Sequence, residues 1–280
     1  MTEVFRRPRV VQAWLAAARY LARQNGQDDR NVILEISSPL SFTADDLAVV
    51  KSVDAALQRN NPRRSVMTAA STIFPQHTYR HYGRPEWYSK YKAIIERGKV
   101  KGTWGTYALR MINRVGPNGV AFNPLEKIIE KLSSRREPNQ IQYTAAYELS
   151  TADPAVDFED PTAGFGYELP TYDPVKDRGS YMGSPCLSHL TFKLMDNKVD
   201  LTAIYRSHYY AERALGNLIG LAQLQSYVAK EAGYEPGVLT CVSTYAKLDV
   251  GLGGIVAARD LLAALPADEP VTAVNPVPAA

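Results

Sequence analysis

Two cysteines and four histidines in 280 residues leave little room for disulfide or metal chemistry. Cys186 and Cys241 make no disulfide framework and show no zinc-type spacing. Both fall in strand-like runs and are expected to stay reduced. His77 and His81 stand four apart, but Thr78-Tyr79-Arg80 between them offers no third ligand, so no metal is expected. Charge of one sign is scarce as well: Lys and Arg number 32 against 29 Asp and Glu, a surplus of +3. That is too small for a protein that wraps nucleic acid, although arginines can still form a local anion site. The first apolar stretch has helical period and is broken by Arg19 and Arg23, which fits neither a signal peptide nor a membrane span. A cytoplasmic protein with no membrane partner is the expectation. Gly251-Leu252-Gly253-Gly254 lacks the spacing and the following acidic residue of a dinucleotide fingerprint and reads as a turn.

What is present is an ordinary enzyme composition, 45% hydrophobic and 22% charged, in a chain long enough to bury a sizeable core. Val10, Val11, Trp14, Leu15, Ala18 and Leu21 predict an amphipathic helix ended by Gly26. A short strand follows at Asn31 to Ile36. Thr43 can cap a second helix with Asp45 and Asp46 in its first turn and Leu47, Val50, Val53 and Leu57 as its buried stripe. The stretch from Pro62 to Gly83 is left unassigned. Helices are predicted from Pro85 to Gly98, around Tyr107 and Arg110, and over Pro124 to Leu132. Ile141 to Leu149 reads as a strand and Ser150 to Ser184 as a long loop. Asp196-Asn197 joins two strands, Leu187 to Met195 and Val199 to Tyr205. The longest helix runs from Tyr210 to Ala232, where Gly216 and Gly220 imply a close neighbour. Val238 to Val250 returns as a strand. Strands and helices mix without βαβ alternation or repeats, which favours one α+β domain over residues 1–265 and a mobile Pro/Ala-rich tail over 266–280.

The chemistry-bearing run is Pro185-Cys186, then Tyr205-Arg206-Ser207, then Asn217. A guanidinium beside a thiol favours the reactive thiolate. An Arg-Ser pair at a strand end suits a phosphate, and an amide that donates and accepts suits the edge of a pyrimidine. Together they point to covalent chemistry on a nucleotide. Cys241 lacks polar company and is expected in the core.

The order of these pieces resembles the thymidylate synthase family, from Gly183-Ser184-Pro185-Cys186 through Tyr205-Arg206-Ser207 and Asn217 to Glu235-Pro236-Gly237. Thr106-Tyr107-Ala108-Leu109-Arg110 resembles its Tyr-Gly-x-Arg element, and Asn123 to Tyr147 its helix-then-strand unit. The resemblance implies a mixed β-sheet covered by helices, with one sheet face forming a homodimer interface. It implies a transferase that moves a one-carbon unit from 5,10-methylenetetrahydrofolate to C5 of a dUMP-like nucleotide. Cys186 would add to C6, Tyr107 would assist proton removal at C5, Arg206 and Ser207 would hold the 5′-phosphate, and Asn217 the base edge. Three further positions belong to the expected substrate site: Tyr209, where the family has an Asp, and Lys247 and Asp249, where it has a His and a Tyr. The neighbourhood that aligns with the family's catalytic Glu, Arg64 to Ala69, carries no carboxylate. Two rival readings stay open: a pyrimidine nucleotide hydroxymethylase, and a nucleotide-binding homologue without catalysis. A third, an unrelated thiol enzyme, needs a His at Cys186; only His189 and His208 are near in sequence.

Overall fold

The computed structural model describes residues 2–98, 105–115, 119–136 and 185–267 in full, and residues 167–170 by their backbone. Its centre is a seven-stranded mixed sheet. Along the chain its strands are β1 (Glu3–Arg7), β2 (Asp28–Ile36), β5 (Tyr167–Pro170), β6 (Leu187–Met195), β7 (Lys198–Tyr205), β8 (His208–Tyr209) and β9 (Glu235–Lys247). The spatial order is β1-β2-β9-β7-β6-β5, and β8 pairs with the far end of β9. β1 runs parallel to β2 and β7 parallel to β9, while β2–β9, β5–β6 and β6–β7 are antiparallel. A separate two-residue pair, β3 (Arg114–Val115) and β4 (Ala121–Phe122), lies off this sheet.

The helices are α1 (Val10–Arg23), α2 (Ala44–Asn60), α3 (Val66–Ile73), α4 (Gln76–Tyr82), α5 (Glu86–Gly98), α6 (Tyr107–Ile112), α7 (Pro124–Ser134), α8 (Leu215–Ala232) and α9 (Ile255–Ala264). Strand alternation sends Leu34, Cys241, Ala203 and Leu190 into the core, where α8 lies over β7 and β9 and α1 over β2. The opposite face carries a half-buried apolar row in one register: Ile33, Val242 and Ile204. Arg84 ties the helical layer together, pairing with Glu126 on α7 and reaching Glu231 on α8 at 3.5 Å. Tyr88 joins the same knot, donating to Glu126 and meeting the Tyr227 hydroxyl at 2.6 Å.

The glycines of α8 find the close neighbour their spacing implied, and it is α3. A methyl group built on Gly216 runs into the Val66 carbonyl oxygen and comes 2.6 Å from Ala69 Cβ; one on Gly220 comes 2.6 Å from the Ala70 carbonyl oxygen. Contacts that close exclude any side chain at either position. Gly237 answers a different need, because the Asp200 carboxylate occupies the space its Cβ would take and accepts from Val238 N at 2.7 Å.

Several expectations are corrected. The strand expected at Asn31 to Ile36 begins at Asp28, and β1 precedes it unannounced. On α2, Leu47 is 52% exposed; Asp46, Val49, Val53, Ala56 and Leu57 form the buried face. The reason is Asp46: it closes a capping box with Thr43 and pairs with Arg9 at 2.6 Å, so the acidic first turn faces inward. The unassigned stretch holds α3 and α4. The expected long loop contains β5, paired in register with β6. The longest helix opens with a π turn, Tyr210–Ala214, before α8 begins, and the last strand ends at Lys247. The predicted strand from Ile141 to Leu149, the rest of that loop, and the tail beyond residue 267 lie outside the described residues.

Candidate active site

Cys186 precedes β6 and is half-buried. Its backbone is clamped from two sides. The Tyr107 hydroxyl oxygen, on the first residue of α6, accepts from Cys186 N at 3.0 Å and from Leu187 N at 3.2 Å. Across the β6–β7 hairpin, Arg206 N donates to the Cys186 carbonyl at 2.9 Å, and Arg206 Nε donates to the Pro185 carbonyl at 2.9 Å. Thr106 sets α6 in place, capping Leu109 N at 3.2 Å and meeting the Tyr91 hydroxyl at 2.9 Å. Tyr107, Cys186 and Arg206, far apart in sequence, therefore meet.

The electrostatics differ from expectation in one respect. Arg206 does pull the thiol toward thiolate, and so does Arg213, but burial pushes it up more strongly, so the net shift is upward. Burial likewise raises the Tyr107 phenol, against the pull of the two N–H groups it accepts. Tyr107 is thus a neutral hydroxyl at neutral pH, able to relay a proton but not a standing phenolate. Burial pushes Cys241, fully enclosed, up to about 12.

Asn217, on the first turn of α8, is buried, and its Nδ2 lies 3.2 Å from His208 Nε2. His208 Nδ1 lies 2.9 Å from Ser243 Oγ on β9, and Tyr210 OH meets the same Oγ at 3.2 Å. The His208 ring stacks on Tyr205, centroids 3.9 Å apart and planes 3° from parallel. Burial lowers His208 to about 3, so the imidazole is neutral. With Nε2 accepting from the amide, Nδ1 carries the proton toward Ser243. That tautomer orients Asn217, leaving its Oδ1 and one N–H for other partners. His208 is therefore committed to Asn217, and no base for Cys186. A bulge at Ser188 pairs His189 with Ile204 and Leu187 with Tyr205, so His189 lies on the sheet face opposite Leu187.

The remaining expected residues lie nearby in the fold. Ser207 follows Arg206 and is half-buried. Tyr209, 44% exposed, pairs across the β8–β9 ladder with Lys247, whose ammonium is 3.8 Å from Asp28. The Asp249 carboxylate accepts from Ala211 N at 2.9 Å, Glu212 N at 3.3 Å and Gly251 N at 3.1 Å, anchoring the π turn. Sequence reasoning passed over Arg213 and gave His208 no part beside Asn217. The signal for Arg213 was slight: an arginine four residues before Asn217, hence near one helix face. Among the described residues no group of three or more metal-ligating side chains occurs, and no helix is long and apolar enough to cross a membrane.

No family model matches the chain. It is similar to curated proteins that carry the name "Putative thymidylate synthase". The protein from Methanosarcina mazei is 33% identical over 138 residues, covering 45% of this chain and 63% of the relative. That from Methanosarcina acetivorans is 32% identical over the same length and shares. A shorter match, 41% identical over 64 residues, links the chain to the Methanococcoides burtonii protein, covering 23% of this chain and 30% of the relative. The chain thus spans less than two thirds of the curated relatives it matches. The similarity supports a likeness to these relatives at the level of the family.

Proposed function

We propose that the protein transfers a one-carbon unit to C5 of a pyrimidine nucleotide, with Cys186 as the nucleophile that adds to C6. The observation that carries this reading is the clamp on Cys186, which joins a thiol, the Tyr107 hydroxyl and the Arg206 guanidinium. Arg206 and Ser207, at the end of β7, hold the 5′-phosphate. Bringing the base over Cys186 lets the sulfur lone pair form the bond to C6 while the π electrons move through C5 to O4. The thiol proton goes to solvent. Asn217 then donates its remaining N–H to the developing O4 charge and accepts from N3–H at Oδ1, which selects uracil over cytosine. C5 of that enolate is the carbon that takes up an electrophile, a proton from solvent in the exchange reaction, and the original C5 proton leaves by way of the Tyr107 hydroxyl. The electrons return through C6 and expel the thiolate.

The donor implied by the resemblance is 5,10-methylenetetrahydrofolate. A pterin presents a guanidine-like edge that pairs well with a carboxylate. Tyr209, exposed and phenolic, stands where the family places that Asp. The described residues therefore do not by themselves fit the folate, and no step here runs through it. The apolar row Ile33, Val242 and Ile204 is the face we assign to the homodimer.

The test is loss of tritium from C5 of labelled dUMP, UMP, dCMP and CMP, with and without the folate. Release from a uracil nucleotide that disappears in Cys186→Ser supports the reading. Dihydrofolate as co-product marks methylation, and its absence alongside a hydroxymethyl product marks the hydroxymethylase. No release from any nucleotide, with binding intact, leaves the non-catalytic homologue.

A further inference from the structure

A neutral imidazole carries its proton on one of two nitrogens, and at His208 that choice fixes more than one bond. Four side chains, each at most 5% exposed, are joined in series. Asn217 Nδ2 lies 3.2 Å from His208 Nε2, His208 Nδ1 lies 2.9 Å from Ser243 Oγ, and Ser243 Oγ lies 3.2 Å from Tyr210 OH. Two sets of proton positions complete all three bonds. In the first, Asn217 donates to Nε2, Nδ1–H donates to Ser243, and Ser243 donates to the Tyr210 oxygen. The second reverses every bond: Tyr210 donates to Ser243, Ser243 to Nδ1, and Nε2–H to an amide turned end for end. The amide stands with Nδ2 toward the ring, which is the first set.

The frame around the series is rigid. The His208 ring lies flat on Tyr205, planes 3° from parallel. Ser243 sits within β9, paired with Val32 of β2 on one side and Tyr205 of β7 on the other. Trp14 Nε1 holds the Tyr210 carbonyl at 2.8 Å, and Asp249 holds the next two N–H groups. Passing from one set to the other therefore moves protons and turns one amide, with the backbone in place. The two sets present opposite edges to a base. Uracil offers an N3–H donor beside an O4 acceptor, whereas cytosine offers an N3 acceptor beside an N4–H donor. An amide tied to nothing turns to suit either, so Asn217 separates them only if something holds it.

We propose that His208 is the specificity-determining positioning residue of the site: its Nδ1–H tautomer, held by Ser243, fixes Asn217 for uracil, and the reversed set would read cytosine. This deepens the nucleotide reading and rests on it for the ligand, but the tautomer is a property of the protein alone.

The experiment has two arms. Long-range 1H–15N spectra of the full-length, 15N-labelled protein at pH 7 without nucleotide report the tautomer. His208→Gln identifies the ring's signals among the four histidines. The pattern of an Nδ1–H ring is expected, and that of an Nε2–H ring overturns the proposal. The second arm is the ratio of C5 tritium release from labelled dUMP to that from dCMP. His208→Phe keeps a ring on Tyr205 without the acceptor and should lower the ratio on the order of tenfold. Ser243→Ala should lower it too, whereas Ser243→Thr keeps the hydroxyl and should stay within about threefold of the parent. A merely structural part would slow both nucleotides alike, so an unchanged ratio in His208→Phe and Ser243→Ala overturns the proposal. No release from any nucleotide beside an Nδ1–H ring sinks the nucleotide reading, and this use of the amide with it. An Nε2–H ring beside normal release from dUMP sinks the positioning role alone.

Discussion

Lowering the pH from 7 to 5 should destabilise the fold through one residue, His208. The imidazole is held neutral among Tyr205, Asn217, Tyr210 and Ser243, with no acidic partner among the described residues to welcome a proton. In the unfolded chain it takes up a proton below about 6.5, but in the fold only near about 3. Between those values the unfolded state binds more protons, so stability falls as pH drops. From 6.5 down to 5 is about 1.5 units at about 1.4 kcal/mol each, or about 2 kcal/mol. The chain has only four histidines, so few other groups compete in this window. Urea unfolding of the parent and of His208→Gln at pH 7, 6 and 5 reads the effect directly. The parent should lose about 2 kcal/mol across the series and the variant far less, whatever its starting stability. Equal losses in the two proteins would refute the burial argument. In the fold the imidazole stays neutral over this range and still accepts from Asn217, so the preference for uracil over cytosine should hold from pH 7 to 5 while stability falls.

Tyr107→Phe should cost about 2 kcal/mol in urea unfolding, because the buried Leu187 N–H loses its acceptor while Cys186 N–H can turn to water; a loss under about 0.5 kcal/mol would mean the clamp is replaceable. Gly216→Ala should destabilise by about 2–3 kcal/mol or more, since the new methyl strikes the Val66 carbonyl; an unchanged unfolding midpoint would show that α3 and α8 are farther apart than described.

The parts of the fold that could be read from sequence are those whose signal is local. α1 and the core of α8 announce themselves by apolar spacing, and the β6–β7 hairpin by Asp196-Asn197, both with positive φ in the turn. β1 could not be read, because Glu3–Arg7 is only five residues long, shows no alternation of charged and apolar positions, and becomes a strand by pairing with β2. α3 was hidden for a similar reason: eight residues are too few to show a period, and what buries it is the glycine face of a helix about 150 positions later. Within the site, Cys186, Arg206 and Asn217 stood out by residue type and order. The role of His208 depends on a tautomer, which composition does not encode.

The π turn has a consequence for how this stretch can vary. Its extra residue sits between the strand end that carries Arg206 and the helix that carries Asn217. Deleting any one of Tyr210–Ala214 would let the helix close regularly, yet rotate everything upstream by about 100° about its axis. The number of residues in this segment is therefore fixed by the two site residues it joins.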